Sequence, residues 1–222
     1  MKDINIVIVD DQNLFRQSLA LLVNSVDDFN LVGDYAGGQQ LIDALQSLDT
    51  RIDIAIIDMD MPGMNGIELN KYLHQHHPKI KVIILSVHVN ELLISKMINN
   101  GAASYIAKNC DKDELILAVT MVFKTGFYFN NEVINSVRNH AQNRLAANDV
   151  LNGLPVVLSK REQQILQLIC KEYNNAEIAK ELYLSVRTVE GHRTSLIDKI
   201  KCRNTAGLVL FAIKHHLFDI SL

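Results

Sequence analysis

Ile4-Asn5-Ile6-Val7-Ile8-Val9-Asp10-Asp11 decides the fold of this chain: a nearly continuous apolar run that ends on two carboxylates. The same design returns in Ile52-Asp53-Ile54-Ala55-Ile56-Ile57-Asp58, in Ile80-Lys81-Val82-Ile83-Ile84-Leu85-Ser86 and in Ala103-Ser104-Tyr105-Ile106-Ala107-Lys108. Short, β-branched runs of this kind read as strands buried on both faces, as in a parallel sheet. In open α/β sheets the chemistry gathers outside the carboxyl ends of the strands. Asp10, Asp11, Asp58, Ser86 and Lys108 are therefore expected to converge on one crevice.

Helical patterns alternate with these strands. Helices are predicted over Gln12–Val26, Gln39–Leu48, Ile67–His77, Asn90–Asn100 and Lys112–Lys124, with a weaker strand at Phe29–Tyr35. In the first helix Leu14, Phe15, Leu19, Leu22 and Val23 form the expected apolar face. Five strands alternating with five helices imply a doubly wound parallel sheet with right-handed crossovers over residues 1–124. Residues 125–157 read as a linker. A polar helix within it, Asn130 to Ala147, carries Val133, Ile134, Val137 and Leu145 as a stripe to pack on something else.

Residues 158–222 are all helical in pattern. Ser159-Lys160-Arg161-Glu162 is a capping box, hydroxyl to glutamate three residues on, and opens a helix with Ile165, Leu166, Leu168 and Ile169 as its core face. Asn174-Asn175 ends it. A short helix at Ala176–Leu182, a turn at Tyr183-Leu184 and a third helix capped by Ser185 and running to Ile200 follow, then a fourth over Thr205–Leu217. Two helices joined by a tight turn, the second capped and basic, form a helix-turn-helix pattern in a small four-helix domain.

The net charge of −3 hides an asymmetry. Residues 1–125 carry 10 Lys+Arg against 16 Asp+Glu, whereas residues 155–222 carry 10 against 7. An acidic half suited to a cation is joined to a basic half suited to a polyanion. No apolar run approaches the roughly 20 residues a bilayer span needs, so no membrane segment is expected. Cys110, Cys170 and Cys202 are odd in number and widely spaced, which predicts free thiols in a reducing cytoplasm.

Three carboxylates a few ångströms apart raise one another's pKa, and a divalent cation relieves the conflict. Mg²⁺ suits such an oxygen set and keeps waters that a phosphoryl group can replace. Asp58 is then a carboxylate nucleophile able to carry a phosphoryl group as an acyl phosphate. Lys108 pairs with that group's charge, and Ser86 hydrogen-bonds one of its oxygens.

With these residues in view, positions 1–124 resemble the receiver domain of two-component response regulators, a flavodoxin-like fold. Asp10-Asp11 is similar to the family's acidic pair, Asp58-Met59-Asp60-Met61-Pro62-Gly63-Met64-Asn65-Gly66 to its phosphoacceptor turn, Ser86 to its switch hydroxyl, Lys108 to its lysine and Tyr105 to its rotating aromatic. The resemblance implies strand order 2-1-3-4-5 and a Mg²⁺ ion held by Asp11, Asp58 and the backbone carbonyl of Asp60, with Asp10 acting through water. It also implies a sensor histidine kinase as partner, and a receiver that catalyses only its own phosphotransfer and dephosphorylation, hence no enzyme in the usual sense. Two positions depart from the pattern: Val87 where a small residue is usual, and Asn109 in place of a frequent proline.

Residues 158–217 resemble the LuxR-type helix-turn-helix of the NarL/FixJ class. The resemblance rests on Leu158-Ser-Lys-Arg-Glu162, Asn175-Ala-Glu177-Ile-Ala179, Ser185-Val-Arg-Thr-Val-Glu-Gly-His192 and Lys199-Ile200. It implies promoter DNA as partner; one module of net charge +3 binds DNA weakly and linking two raises avidity, so a homodimer when phosphorylated is expected. The recognition helix is expected to present Arg187, Thr188, Glu190, Gly191, Arg193 and Thr194 to the major groove, with His192, Lys199, Lys201 and Arg203 as further DNA or phosphate contacts. Val189, Leu196, Ile197 and Ile200 are expected in the core. Glu190 suits a cytosine amino group or repels the backbone. Val209, Leu210 and Ile213 suit either a dimer contact or plain packing. Two rival readings are a DNA-binding protein whose receiver is vestigial, and a haloacid-dehalogenase-type phosphatase, since Asp58-Met59-Asp60 also fits Asp-x-Asp.

Overall fold

The computed structural model describes residues 4–46, 50–88, 90–138, 156–215 and 217–218. Its first part alternates β1 (Ile4–Val9), α1 (Asn13–Asn24), β2 (Phe29–Tyr35), α2 (Gly38–Leu45), β3 (Ile54–Asp58), α3 (Gly66–His76), β4 (Lys81–Ser86), α4 (Glu91–Asn99), β5 (Ser104–Ala107) and α5 (Lys112–Thr125). Residues 131–138 form a further helix, α6. Then come α7 (Lys160–Cys170), α8 (Asn175–Glu181), α9 (Val186–Ile200) and α10 (Thr205–Lys214). The five strands are parallel in the order β2-β1-β3-β4-β5.

Strand pleating sorts the apolar side chains into two layers. Ile6, Ile8, Ile54 and Ile56 face α1 and α5, packing with Leu19, Val23, Val119 and Val122. Val7, Val9, Ala55 and Ile57 face the other way, onto Leu41, Leu69, Leu73 and Ile94. Removing a side chain of this size from water contributes roughly 1.5–3 kcal/mol. The second layer continues without a break into Ile165, Ile169, Leu196 and Leu208 of the helical domain. The α6 residues Val133, Ile134 and Val137 are buried in that same layer, which is where the linker stripe packs. Leu145 lies outside the described residues.

One expectation of packing fails. Leu14 is 79% exposed, because α1 turns Leu19 and Val23 onto the sheet and Leu14, five residues before Leu19, falls well round the helix from that face.

The helical domain is fixed by the capping box seen in the sequence. Ser159 Oγ accepts from Glu162 N, and Glu162 accepts from Ser159 N. The same carboxylate lies 2.8 Å from Lys199 Nζ of α9. The Lys199 bond comes first, opposed by burial and aided by Ser159, and it holds the Glu162 carboxyl down at about 2. A depressed carboxylate adds stability that is present above its ordinary value of 4.5 and is lost as pH falls towards 2. Glu162→Gln is therefore expected to cost about 1–2 kcal/mol near neutral pH, a figure discounted because Lys199 is partly exposed. In urea titrations that cost should shrink steadily below the ordinary value; a cost independent of pH would place the effect elsewhere.

Candidate functional site

The four strand ends meet as the sequence requires. Asp10 follows β1, Asp58 and Ser86 close β3 and β4, and Lys108 follows β5. Carboxylate oxygens of Asp10, Asp11 and Asp58 lie within 4.8 Å of one another. Lys108 Nζ bridges the two buried members, 2.9 Å from Asp10 Oδ2 and 2.8 Å from Asp58 Oδ2, and sits 4.8 Å from the Phe15 ring centre. Burial raises the Asp58 pKa, with Lys108 opposing. For Lys108, burial works against the charge, but the bonds to Asp58 and Asp10 outweigh it and raise its pKa.

Backbone holds the carboxylates in place. Gln12 N donates to Asp10 Oδ1 at 2.8 Å and Asp60 N to Asp58 Oδ1 at 3.3 Å. Behind them, α3 starts under a capping box at Asn65. Gly66 comes so close that a Cβ there would lie 2.3 Å from the Asp58 carbonyl oxygen. The glycine is thus a packing requirement of the site, visible in the sequence only as part of the turn.

Ser86 Oγ accepts from His88 N at 3.0 Å. Tyr105 is fully buried, donates to the His88 carbonyl and touches Met59 Sδ at 3.8 Å. A rotating aromatic was expected at this position; the side chain already lies inside, held by His88. His88 Nε2 is 4.0 Å from Asp60 Oδ2 at the mouth of the crevice. Val87, the departure from the family pattern, is exposed.

In the second domain Ser185 caps α9 by accepting from Thr188 N at 3.0 Å. Arg187, Thr188, Glu190, Gly191 and Thr194 are exposed, His192 is half-buried, and Val189 and Leu196 are core. Ile197 and Ile200 are only partly buried.

Arg193 is not on the free face where it was expected. It donates to Asn175 Oδ1 at 2.7 Å, to Thr205 Oγ1 at 2.6 Å and to the Thr125 carbonyl of α5 at 3.3 Å. Burial works against the guanidinium's charge and lowers its pKa, with Glu190 opposing, and the three acceptors on three elements offset part of that cost. Lys199 is engaged with Glu162, Lys201 is exposed, and Arg203 approaches the Asn100 carbonyl at 3.5 Å.

The domains touch through contacts that no sequence pattern announced. Asn204 caps α10 and also donates to the Gly101 and Ala102 carbonyls at 2.7 and 3.1 Å. Lys214 Nζ lies 3.1 Å from Glu91 Oε1 and 2.7 Å from Ser95 Oγ, both on α4. Val209, Leu210 and Ile213 are buried in this packing.

Residues 6–120 match the response regulator receiver domain, and residues 156–212 match the luxR family of bacterial regulatory proteins. The chain is 33% identical to the oxygen regulatory protein NreC of Staphylococcus haemolyticus over 216 residues, 96% of this chain and 99% of the relative. It is 29% identical to the transcriptional regulatory protein DegU of Brevibacillus brevis, over 96% and 94% of the two chains. Among solved structures, the RcsB response regulator of Salmonella typhimurium superposes with a TM-score of 0.54 at 25% identity, covering 94% of this chain and 97% of that one. Receiver site, helical domain and relatives agree: the chain belongs to the two-component response regulators of the NarL/FixJ class, DNA-binding regulators of transcription built from a receiver and a LuxR-type domain.

Proposed function

We propose that this regulator takes a phosphoryl group from a sensor histidine kinase onto Asp58 and thereby changes its hold on promoter DNA. The observation that carries the reading is Lys108 Nζ bridging Asp10 and Asp58 at the strand ends. The Asp58 carboxylate attacks phosphorus, the bond from phosphorus to the donor nitrogen breaks, and an acyl phosphate remains. Lys108 is in place to follow the new negative charge. The oxygen-only cluster fits Mg²⁺, held by Asp11, Asp58 and the Asp60 carbonyl with Asp10 through water. When bound, the ion would screen the phosphoryl oxygens.

The closed arrangement supplies the control. Arg193 makes one of its three hydrogen bonds to the receiver, at the Thr125 carbonyl, and α10 is tied to α4 at Glu91, the first residue of that helix. A phosphoryl oxygen that draws the Ser86 hydroxyl releases His88 N, and with it the backbone leading to Glu91. Because Tyr105 is already inside and holds the His88 carbonyl, the moving parts are His88 and the start of α4 rather than the ring. Opening breaks the Arg193–Thr125 bond while Asn175 and Thr205 of its own domain keep their hold on Arg193, and two chains then pair on DNA, with Arg187, Thr188, Glu190, Gly191, His192 and Thr194 at the groove and Lys199, Lys201 and Arg203 near phosphates. Pairing raises avidity by roughly 10²–10⁴ where the geometry permits.

Light scattering and DNA titration with and without beryllofluoride test this. A doubled mass with roughly hundredfold tighter binding is expected, the low end of that gain. Unchanged mass and affinity would instead favour a vestigial receiver.

A further inference from the structure

We propose that Tyr183 is a phosphate contact of the DNA-binding domain, a role additional to the recognition-helix residues and resting on the DNA-binding reading above. Tyr183 stands in the turn between α8 and α9 and is 96% exposed, the most exposed large hydrophobic residue among those described. Its neighbours Leu182 and Leu184 both pack on the core. The chain reverses at Tyr183 through a left-handed backbone, φ 55°, a conformation few non-glycine residues adopt. That puts two leucines inward and the phenol outward.

The turn is firmly held. Leu184 N donates to the Ala179 carbonyl at 2.8 Å, and Arg161 Nη2 donates to the Leu182 carbonyl at 2.8 Å from α7. The ring is therefore offered at a fixed place without burying itself against its own chain. Directly after it comes the amino end of α9. There the first helical bond runs from Val189 N to the Ser185 carbonyl, and Ser185 Oγ takes Thr188 N. The amides of Val186 and Arg187 precede that ladder, so they can serve an acceptor lying ahead of the helix.

A helix-turn-helix lays the first turns of its second helix in the major groove, which brings the preceding turn to the groove's rim. The rim is lined by phosphates, and side-chain hydroxyls and backbone amides are ordinary phosphate donors. Exposed Arg187 and half-exposed Val186 flank the spot. The ligand chemistry that fits an uncharged donor beside free amides and a cation is a DNA backbone phosphate.

The test uses the full-length chain with beryllofluoride and a labelled duplex of mixed sequence, because a phosphate contact carries no sequence preference. Tyr183→Phe, which removes only the hydroxyl, is expected to weaken binding about 3- to 10-fold. The salt dependence should stay as in the wild type, since no charge is lost, whereas Arg187→Ala should flatten it. An unchanged melting temperature for Tyr183→Phe would assign the loss to the contact. Binding by Tyr183→Phe that equals the wild type would overturn the proposal, including the case where only transcription falls, which points to a protein partner. A wild-type chain that binds no duplex even at low salt would overturn the DNA-binding reading as well, so the two failures are distinguishable.

Discussion

An Asp58→Asn chain will take up no phosphate from acetyl phosphate or a kinase, and its DNA affinity will not respond to either. The amide keeps the shape of the carboxylate but has no anionic oxygen to attack phosphorus, so the loss of phosphotransfer should be complete within detection. Folding should survive, because Lys108 keeps Asp10 at 2.9 Å and the buried site loses an anion whose pKa burial had already raised. The activated increase in DNA affinity, about a hundredfold, should vanish with it. Mobility-shift titration with and without donor reads the second effect. An Asp58→Asn chain that still tightens on DNA when the donor is added would place the phosphoacceptor elsewhere.

Lys214→Met will make DNA binding less dependent on phosphorylation. Lys214 is the cation that α10 brings to Glu91, a carboxylate buried in α4. Without Lys214 the Glu91 carboxylate keeps the Ser95 hydroxyl at 2.8 Å but loses this cation, and breaking a buried pair costs about 3 kcal/mol in such settings. Here the molecule has an escape: separating the domains returns Glu91 to water. Taking roughly 2 kcal/mol of that cost as the shift towards the open form, the unphosphorylated variant should bind DNA about 30-fold more tightly than the unphosphorylated wild type. The double variant Glu91→Gln/Lys214→Met removes both charges and should recover much of the closed form. If the single variant merely melts earlier and binds DNA no better, the α4–α10 contact is a packing detail and not a control element.

Most of the receiver could be read from its residues. The apolar runs fix strands because their β-branched side chains must be covered on both faces. The polar residue after each run then falls at one end of the sheet by geometry alone. Helix starts at Ser159 and Ser185 were legible for the same local reason, a side-chain acceptor three residues before an amide, whereas the capping boxes at Asn65 and Asn174 went unread. What escaped was everything that depends on distance. Leu14 looked apolar enough for the core, but helix phase turned it to water. Arg193 looked like part of a DNA-facing stripe, but its acceptors lie on Asn175, Thr205 and Thr125, the last 68 residues away in sequence. Asn204, just ahead of the fourth helix, gave no sign of being a clasp on the Gly101 and Ala102 carbonyls. Periodicity describes one element at a time, and contacts between elements leave no periodic trace.

The phosphoacceptor assignment is tested most directly by weighing the intact wild-type chain after incubation with Mg²⁺ and acetyl phosphate, then trapping the adduct with borohydride and sequencing its peptides. The account predicts a gain of one phosphoryl group, sensitive to base, with the reduced residue at position 58. No gain in mass, or a label on any other residue, would contradict it.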